Sequence, residues 1–98
     1  MPALAAKQIS LDLKAVPKWS QNAQTIRRTF AFEGFLEALD FVNRIGTKAQ
    51  KVNHHPDIDI RFNKVTLTLS THDEGGITGK DFFLAQQCDE VFAKFFTT

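Results

Sequence analysis

The chain has few of the residues that mark several common classes of protein. Its 98 residues include one cysteine, Cys88, so no intramolecular disulfide can form. It has one Trp and no Tyr, and no apolar run approaches the length of a signal peptide or a membrane span. We therefore expect a cytoplasmic protein in which Cys88 is a buried and unreactive thiol.

An excess of either charge is also missing. The 12 basic and 11 acidic residues are interspersed and give a formal net charge of +1, so we expect no binding to nucleic acid or to a membrane surface. Apolar residues make up 43% of the chain, which indicates a folded protein. A domain this small leaves much apolar surface uncovered, so a homodimer or homotetramer is expected.

Two stretches near the middle of the chain alternate polar and apolar residues. The alternation runs from Asp57 to Phe62 and again from Val65 to Thr71, which predicts two half-buried strands. Asn63 and Lys64 lie between them and predict a two-residue turn, because Asn tolerates the positive φ that such a turn needs. The two stretches are therefore predicted to form an antiparallel hairpin in which Phe62 pairs with Val65.

All three histidines lie at the open end of this hairpin. Extending the predicted pairing outward sets His55 opposite His72. Pro56 cannot donate to a strand ladder and restricts the residue before it, so we expect the strand to start at or after Pro56. His54 can then turn toward the same side, and the three imidazoles are expected to share one small pocket.

The N-terminal part of the chain shows weaker patterns. Ser10 is a candidate cap for a short helix that Pro17 ends. Gln21-Asn22 offers a turn, and Thr25 to Phe32 then predicts a strand. Arg28 interrupts the apolar face of that strand, and we expect it to be a solvated charge at a strand edge.

Two longer helices are predicted around the hairpin. Residues 33–50 have apolar side chains at helical spacing, and the last turn of that helix should lie beside the histidines. Thr78 to Asp81 is typical of an N-cap with an acid at the third helical position, and the helix should run to about Phe96. This order of elements predicts an α+β two-layer sandwich, with a four-stranded antiparallel sheet and helices packed on one face.

Four short motifs follow one another at consistent spacings. They are Asn53-His54-His55-Pro56-Asp57, Phe62-Asn63-Lys64-Val65, Leu69-Ser70-Thr71-His72-Asp73 and the later Asp81. Together they resemble the signature of the pterin-4a-carbinolamine dehydratases. The resemblance extends from about Trp19 to the C-terminus, whereas residues 1–17 match poorly. It implies one domain of this family over residues 1–98, with the two-layer fold predicted above.

The resemblance implies dehydration of a 4a-hydroxytetrahydropterin to quinonoid dihydropterin and water, which recycles the pterin cofactor of aromatic amino acid hydroxylases. The departing hydroxyl needs a proton and the proton on N5 must be removed, and imidazole can serve both steps near neutral pH. The resemblance implies that His54 and His72 are the acid and the base, in either order, and that His55 positions the substrate. No metal and no cofactor is expected.

The resemblance also implies which residues bind the substrate. At some positions, however, this chain departs from the family pattern. The implied residues are Ser70, Thr71, Asp57 and Asp81, and Asp81 has a helix-capping role available as well. Four positions depart from the family pattern: Gln50 replaces a Glu of many members, Asn53 an Asp, Ile58 an aromatic residue and Lys80 an Arg. These departures bear on rate and substrate range, because none removes a proposed proton carrier.

Two other functions compete with the dehydratase hypothesis. A three-histidine zinc site is disfavoured, because adjacent residues in an extended chain point apart and no further Cys or His follows at ligand spacing. The second alternative is a non-enzymatic protein-binding module, since animal members of the family act as dimerisation cofactors for a homeodomain transcription factor. The expected partners are therefore a pterin substrate, further copies of the chain and, in the alternative, another protein.

Overall fold

The computed structural model describes residues 2–97, in which three α-helices and four strands form one layered unit. The elements are α1 (Ala6–Leu13), β1 (Ser20–Asn22), β2 (Thr25–Ala31), α2 (Phe35–Lys51), β3 (Asp57–Arg61), β4 (Lys64–Leu69) and α3 (Gly79–Phe95). A 3-10 turn, His72–Glu74, lies between β4 and α3. The antiparallel sheet has the order β1-β2-β4-β3, so the predicted α+β architecture is confirmed.

The core lies between one face of this sheet and the helices. Alternate residues of the two central strands point into it, and these are Ile26, Phe30, Val65, Leu67 and Leu69. Phe41 and Ile45 of α2 and Leu84 and Cys88 of α3 are buried against them. Each large apolar side chain buried in this way contributes about 1.5–3 kcal/mol to folding. The opposite face of the sheet carries polar residues. Within residues 2–97, none of the helices has the length and apolar composition needed to cross a membrane.

Arg28 is not the solvated charge that the sequence predicted. Alternation places it on the core side of β2, and its Nη1 lies 2.7 Å from Oδ1 of Asp89 in α3. Trp19 donates from Nε1 to the same oxygen at 2.8 Å. A charge on the core side of a sheet is tolerated only when it is paired, and Asp89 supplies that partner. The contact joins β2 to α3 and to the segment that follows α1.

The first helix also differs from its prediction. α1 begins at Ala6, its N-cap Ala5 makes no side-chain cap bond, and the predicted cap Ser10 lies inside the helix and is exposed. Ile9 is buried in the core, which indicates that packing rather than capping sets the position of this short helix. The N–H of Leu4 donates to the carbonyl of Ile77 at 2.8 Å and ties the segment before α1 to the segment before α3.

The β1–β2 turn lies later than predicted. Gln21 and Asn22 belong to β1, and the turn is formed by Ala23 and Gln24. Ala23 has a φ of 54°, a left-handed conformation that residues with a Cβ adopt at a steric cost. The predicted turn residues are therefore two positions too early.

The β3–β4 pairing is shifted by two residues from the predicted one. Arg61 pairs with Lys64, so the turn consists of Phe62 and Asn63 rather than Asn63 and Lys64. Phe62 takes the left-handed conformation, with a φ of 53°. Side chains alternate with a period of two, so the paired residues keep their predicted faces. Phe62 is in the turn and 69% exposed, and of β3 only Ile60 is partly buried, so the prediction of a half-buried strand there is wrong.

His55 and His72 are consequently not cross-strand partners, and that prediction is wrong. Continued outward, the observed pairing would set His55 opposite Ser70, but the ladder ends before that point, at the pair Asp57 and Thr68. Both histidines lie on irregular segments beyond the strand ends. The site is therefore built by the ends of helices and by a short loop.

Candidate functional site

The end of α2 sets the position of His54. The N–H of Asn53 donates to the carbonyl of Gln50 at 3.2 Å, and the N–H of His54 donates to that of Ala49 at 3.1 Å. This pair of bonds is a Schellman motif, which satisfies the last carbonyls of a helix and needs a left-handed residue. Asn53 is that residue, with a φ of 51°. The backbone of His54 is therefore fixed by the helix end.

The ring of His54 contacts a buried carboxylate at the start of α3. Its Nε2 lies 2.5 Å from Oδ1 of Asp81, and the two side chains are 11% and 0% exposed. Asp81 also completes the predicted capping box, since its Oδ2 accepts from the N–H of Thr78 at 2.9 Å. In return, Oγ1 of Thr78 accepts from the N–H of Lys80 at 3.2 Å. One carboxylate thus joins the start of α3 to His54.

Thr71 reaches the same carboxylate from the loop after β4. Its Oγ1 lies 2.9 Å from Oδ2 of Asp81 and 2.8 Å from Oγ1 of Thr78. Thr71 is held by a bridge with Gly76, in which its N–H donates to the carbonyl of Gly76 at 2.8 Å. The bridge closes a tight loop that carries His72 in its 3-10 turn. His72 therefore lies on the exposed rim beside the buried cluster.

A cleft of about 330 Å³ opens at this point, and all three histidines line it. Its lining residues are Asn53, His54, His55, Ser70, Thr71, His72, Asp73 and Lys80. The exposed ring of His55 is held by Gln50, with Nε2 2.8 Å from Oε1, so the ring N–H donates to the amide oxygen. The cleft therefore has imidazoles on several sides, and two of the three are oriented by hydrogen bonds.

Most of the predicted site residues come together here. The cleft is lined by His54, His55, His72, Ser70 and Thr71. Asp81 lies directly behind the cleft, fully buried, and contacts His54 rather than the open space. Asp57 is not brought to the cleft: it is an exposed residue of β3 that pairs with Thr68. The catalytic and binding roles of these residues stay predictions.

Three further residues line the cleft that were not predicted as site residues. Asn53 and Lys80 line it, although they were marked as departures from the family pattern. Asp73 lines it next to His72. The position of Asp73 in the same motif as His72 was the available signal. Nothing in the sequence indicated the contact between the Thr71 and Thr78 hydroxyls, because the shape of the intervening loop sets it.

The imidazoles that line the cleft are chemically suited to proton transfer. Within residues 2–97, no group of three or more His, Cys, Asp and Glu side chains is arranged to hold a metal ion. Nε2 of His54 and Nε2 of His55 are already bonded to Asp81 and Gln50. Imidazoles with one nitrogen held and the other available are suited to general acid–base catalysis.

The fold and the site together define an α+β protein with a histidine-lined cleft for a small ligand. A family model described as "Pterin 4 alpha carbinolamine dehydratase" matches residues 2–91, and the chain belongs to that family. The match includes the segment before Trp19. Family membership therefore rests on nearly the whole chain.

Similar proteins and structures agree with this assignment. The chain is 50% identical over 93 residues to a protein of Herpetosiphon aurantiacus, covering 95% of this chain and 97% of that one. It is 47% identical over 88 residues to a protein of Picosynechococcus sp., covering 90% and 96%. Both are named "Putative pterin-4-alpha-carbinolamine dehydratase".

Two solved structures share the fold. The transcriptional coactivator/pterin dehydratase from Brucella melitensis has a TM-score of 0.87 at 30% identity, covering 91% of this chain and 97% of that one. A pterin dehydratase-like protein identified as a RuBisCO assembly factor in the alpha-carboxysome has a TM-score of 0.61 at 18% identity, covering 74% and 84%. The second likeness concerns the fold alone.

Proposed function

We propose that this protein dehydrates 4a-hydroxytetrahydropterin to quinonoid dihydropterin and water in the cytoplasm. The observation that carries the proposal is one cleft of about 330 Å³ lined by three imidazoles, one of them held by a buried carboxylate. Family membership and the names of the relatives support the reaction and the substrate class. The reaction recycles the pterin cofactor of aromatic amino acid hydroxylases.

The elimination requires two proton transfers. The hydroxyl on C4a leaves as water when an acid protonates it, and a base removes the proton on N5 as the C=N bond forms. His54 and His72 carry these two steps, one as the acid and the other as the base. Because Nε2 of His54 is bonded to Asp81, its Nδ1 is the nitrogen that exchanges a proton with the substrate. His72 acts from the opposite rim.

The remaining residues of the cleft bind and orient the pterin. The ring of His55, held by Gln50, positions the substrate, and Ser70 and Thr71 line the floor between the histidines. Asp81 acts through His54, because it is fully buried and does not face the cleft. Neutral imidazole and imidazolium can both bond to this carboxylate, so His54 stays oriented before and after it transfers a proton.

Replacing the two proton carriers tests the proposal directly. We expect His54→Ala and His72→Ala each to lower kcat by at least about 100-fold, the usual contribution of a general acid or base. The assay is stopped-flow dehydration of 4a-hydroxytetrahydropterin supplied by an aromatic amino acid hydroxylase. Circular dichroism and urea unfolding report whether the variants are folded.

A control variant comes from outside the cleft. Asp57 is exposed on β3, so Asp57→Asn should leave turnover within about twofold of the wild type. Near-normal turnover in folded His54→Ala and His72→Ala proteins would contradict the roles proposed for these histidines, and no dehydration by the wild type would contradict the proposed function. His55→Ala should mainly raise KM, since this residue positions the substrate.

We further propose that the active form is a homodimer or homotetramer. Leu36 in α2 is 78% exposed, and Phe35, Phe83 and Phe95 are about half exposed on the helices. Large exposed apolar side chains on a small domain favour contact with another chain. The same surface also favours a second candidate function, a protein-binding module, which the name of the Brucella melitensis protein supports. Retained assembly in an inactive His54→Ala, His72→Ala protein would separate the two functions.

A further inference from the structure

The side chains behind His54 form one continuous set of hydrogen bonds. Thr71, Thr78 and Asp81 are 7%, 0% and 0% exposed, so water cannot replace a partner that is lost. Within residues 2–97, no buried side-chain nitrogen or oxygen lacks a hydrogen-bond partner. The helix cap requires Thr78 and Asp81, but it does not require Thr71. Its hydroxyl is therefore available for another role.

Counting protons gives each of these bonds a direction. Oγ1 of Thr78 accepts from the N–H of Lys80, and the ionised carboxylate of Asp81 can only accept. The single hydroxyl proton of Thr71 goes to Oδ2 of Asp81 at 2.9 Å. The proton between the two hydroxyls, which are 2.8 Å apart, must then come from Thr78.

The two oxygens of the carboxylate consequently have different partners. Oδ2 of Asp81 accepts from the hydroxyl of Thr71 and from the N–H of Thr78, both at 2.9 Å. Oδ1 accepts from His54 at 2.5 Å. With two donors on Oδ2, the carboxylate is held in one orientation.

We infer that Thr71 is a positioning residue that fixes the tautomer of His54 through Asp81. An ionised Asp81 requires a donor on Nε2 of His54, so the neutral ring carries its proton there and presents a bare Nδ1 to the cleft. Without the Thr71 hydroxyl, Oδ2 has one donor fewer, and the carboxylate can rotate away from Nε2 of His54. The neutral ring then populates both tautomers. This inference rests on the proposed function, in which Nδ1 of His54 exchanges a proton with the substrate.

Three variants isolate the hydroxyl of Thr71. Thr71→Val keeps the shape of the side chain and removes the donor, so we expect kcat to fall at least about tenfold. Thr71→Ser keeps the donor and should stay within about threefold of the wild type. Thr78→Val is the matched control: it removes the cap oxygen and lowers stability, but it leaves both donors on Oδ2 of Asp81, so kcat should change little.

A spectroscopic measurement tests the same inference without catalysis. Long-range ¹H–¹⁵N spectra of ¹⁵N-histidine-labelled protein, recorded over a pH series, distinguish the two tautomers of the neutral ring. We expect His54 of the wild type and of Thr71→Ser to be protonated on Nε2, and His54 of Thr71→Val to show a mixture. Because the spectra need no substrate, they decide the question even if the protein does not dehydrate a pterin.

Two outcomes would overturn the inference. One is that the neutral ring of His54 in the wild type is protonated on Nδ1. This measurement does not depend on any variant being folded. The other is Thr71→Val with the tautomer of the wild type, whatever its turnover. If the wild type does not dehydrate the pterin while the tautomer depends on Thr71 as expected, the proposed function fails and the hydrogen-bond assignment stands.

Discussion

Cys88 occupies the centre of α3, where it faces the core and not the cleft. The pKa of its thiol is raised to about 12, mainly by burial and also by the neighbouring charge of Asp89, whereas Arg28 and Lys48 act in the opposite direction. The thiolate is the reactive form of cysteine, so Cys88 is inert at neutral pH. The predicted burial of this residue is confirmed.

The raised pKa makes stability depend on alkaline pH. An ordinary thiol titrates near 9.0 and that of folded Cys88 near about 12, so between these values the unfolded state binds fewer protons than the folded state. The free energy of unfolding therefore falls as pH rises through this window, by about 1 kcal/mol between pH 8 and 10. In Cys88→Ala, the free energy of unfolding should not show this part of the decrease with pH. Urea unfolding of both proteins at pH 7, 8.5 and 10 measures it, and equal slopes with pH would contradict the expectation.

The histidines could be predicted from sequence because short motifs contain them. His54 and His55 are adjacent, and His72 ends a motif of its own, so a local pattern identifies all three. The contact between His54 and Asp81 spans 27 residues and depends on a Schellman motif and a capping box meeting in space. Local patterns predict each of those motifs separately, but they do not predict the distance between them.

At the level of elements, the hairpins show what an alternating pattern can determine. It identified the strands and the buried faces of β2 and β4, but a shift of two residues preserves every face and therefore cannot be detected from the pattern. The residue types that turns prefer should have distinguished the observed pairing from the predicted one. The left-handed positions are nevertheless occupied by Ala23 and Phe62, two residue types that turns of this kind do not favour. The Asn residues nearby indicated turns at the wrong positions.

Ala23 offers a direct measure of this steric cost. A left-handed residue with a Cβ is strained, and glycine is not, so Ala23→Gly should raise the free energy of unfolding by about 0.5–1 kcal/mol after the greater flexibility of the unfolded chain is included. Ala31→Gly is the control, because Ala31 is exposed on β2 with ordinary strand geometry. It should lower stability by about 0.5–1 kcal/mol. Urea unfolding compares the two, and destabilisation of the same size in both would rule out strain at Ala23.

For the whole molecule, the largest unexplained feature is the apolar surface of the helices. The core is closed on one side of the sheet, yet Phe35, Leu36 and Phe95 remain substantially exposed. The guanidinium of Arg44 covers part of Phe95, with its central carbon 3.9 Å from the ring centroid. Leu36 has no comparable cover at 78% exposure. A surface of this kind is typical of a chain that associates with itself.

Light scattering during size-exclusion chromatography tests this association. We expect a mass of at least twice the 11.1 kDa of one chain at the concentrations used for the assay. Leu36→Asp places a charge on the exposed apolar surface and should shift the protein toward smaller species, whereas Glu37→Ala, at a neighbouring exposed polar position, should not. A mass of one chain over the whole concentration range would rule out the proposed oligomer.

Asp81 both contacts His54 and caps α3, and this combination limits which substitutions the site can accept. The side chain that orients His54 also completes the first turn of α3, the helix that brings Leu84 and Cys88 into the interior. Replacing Asp81 would remove the partner of His54 and loosen the first turn of a helix on which folding depends. Adaptation to a different ligand is therefore expected at the rim, at Asp73 and Lys80, where a new side chain changes ligand fit and leaves the hydrogen bonds of Asp81 intact.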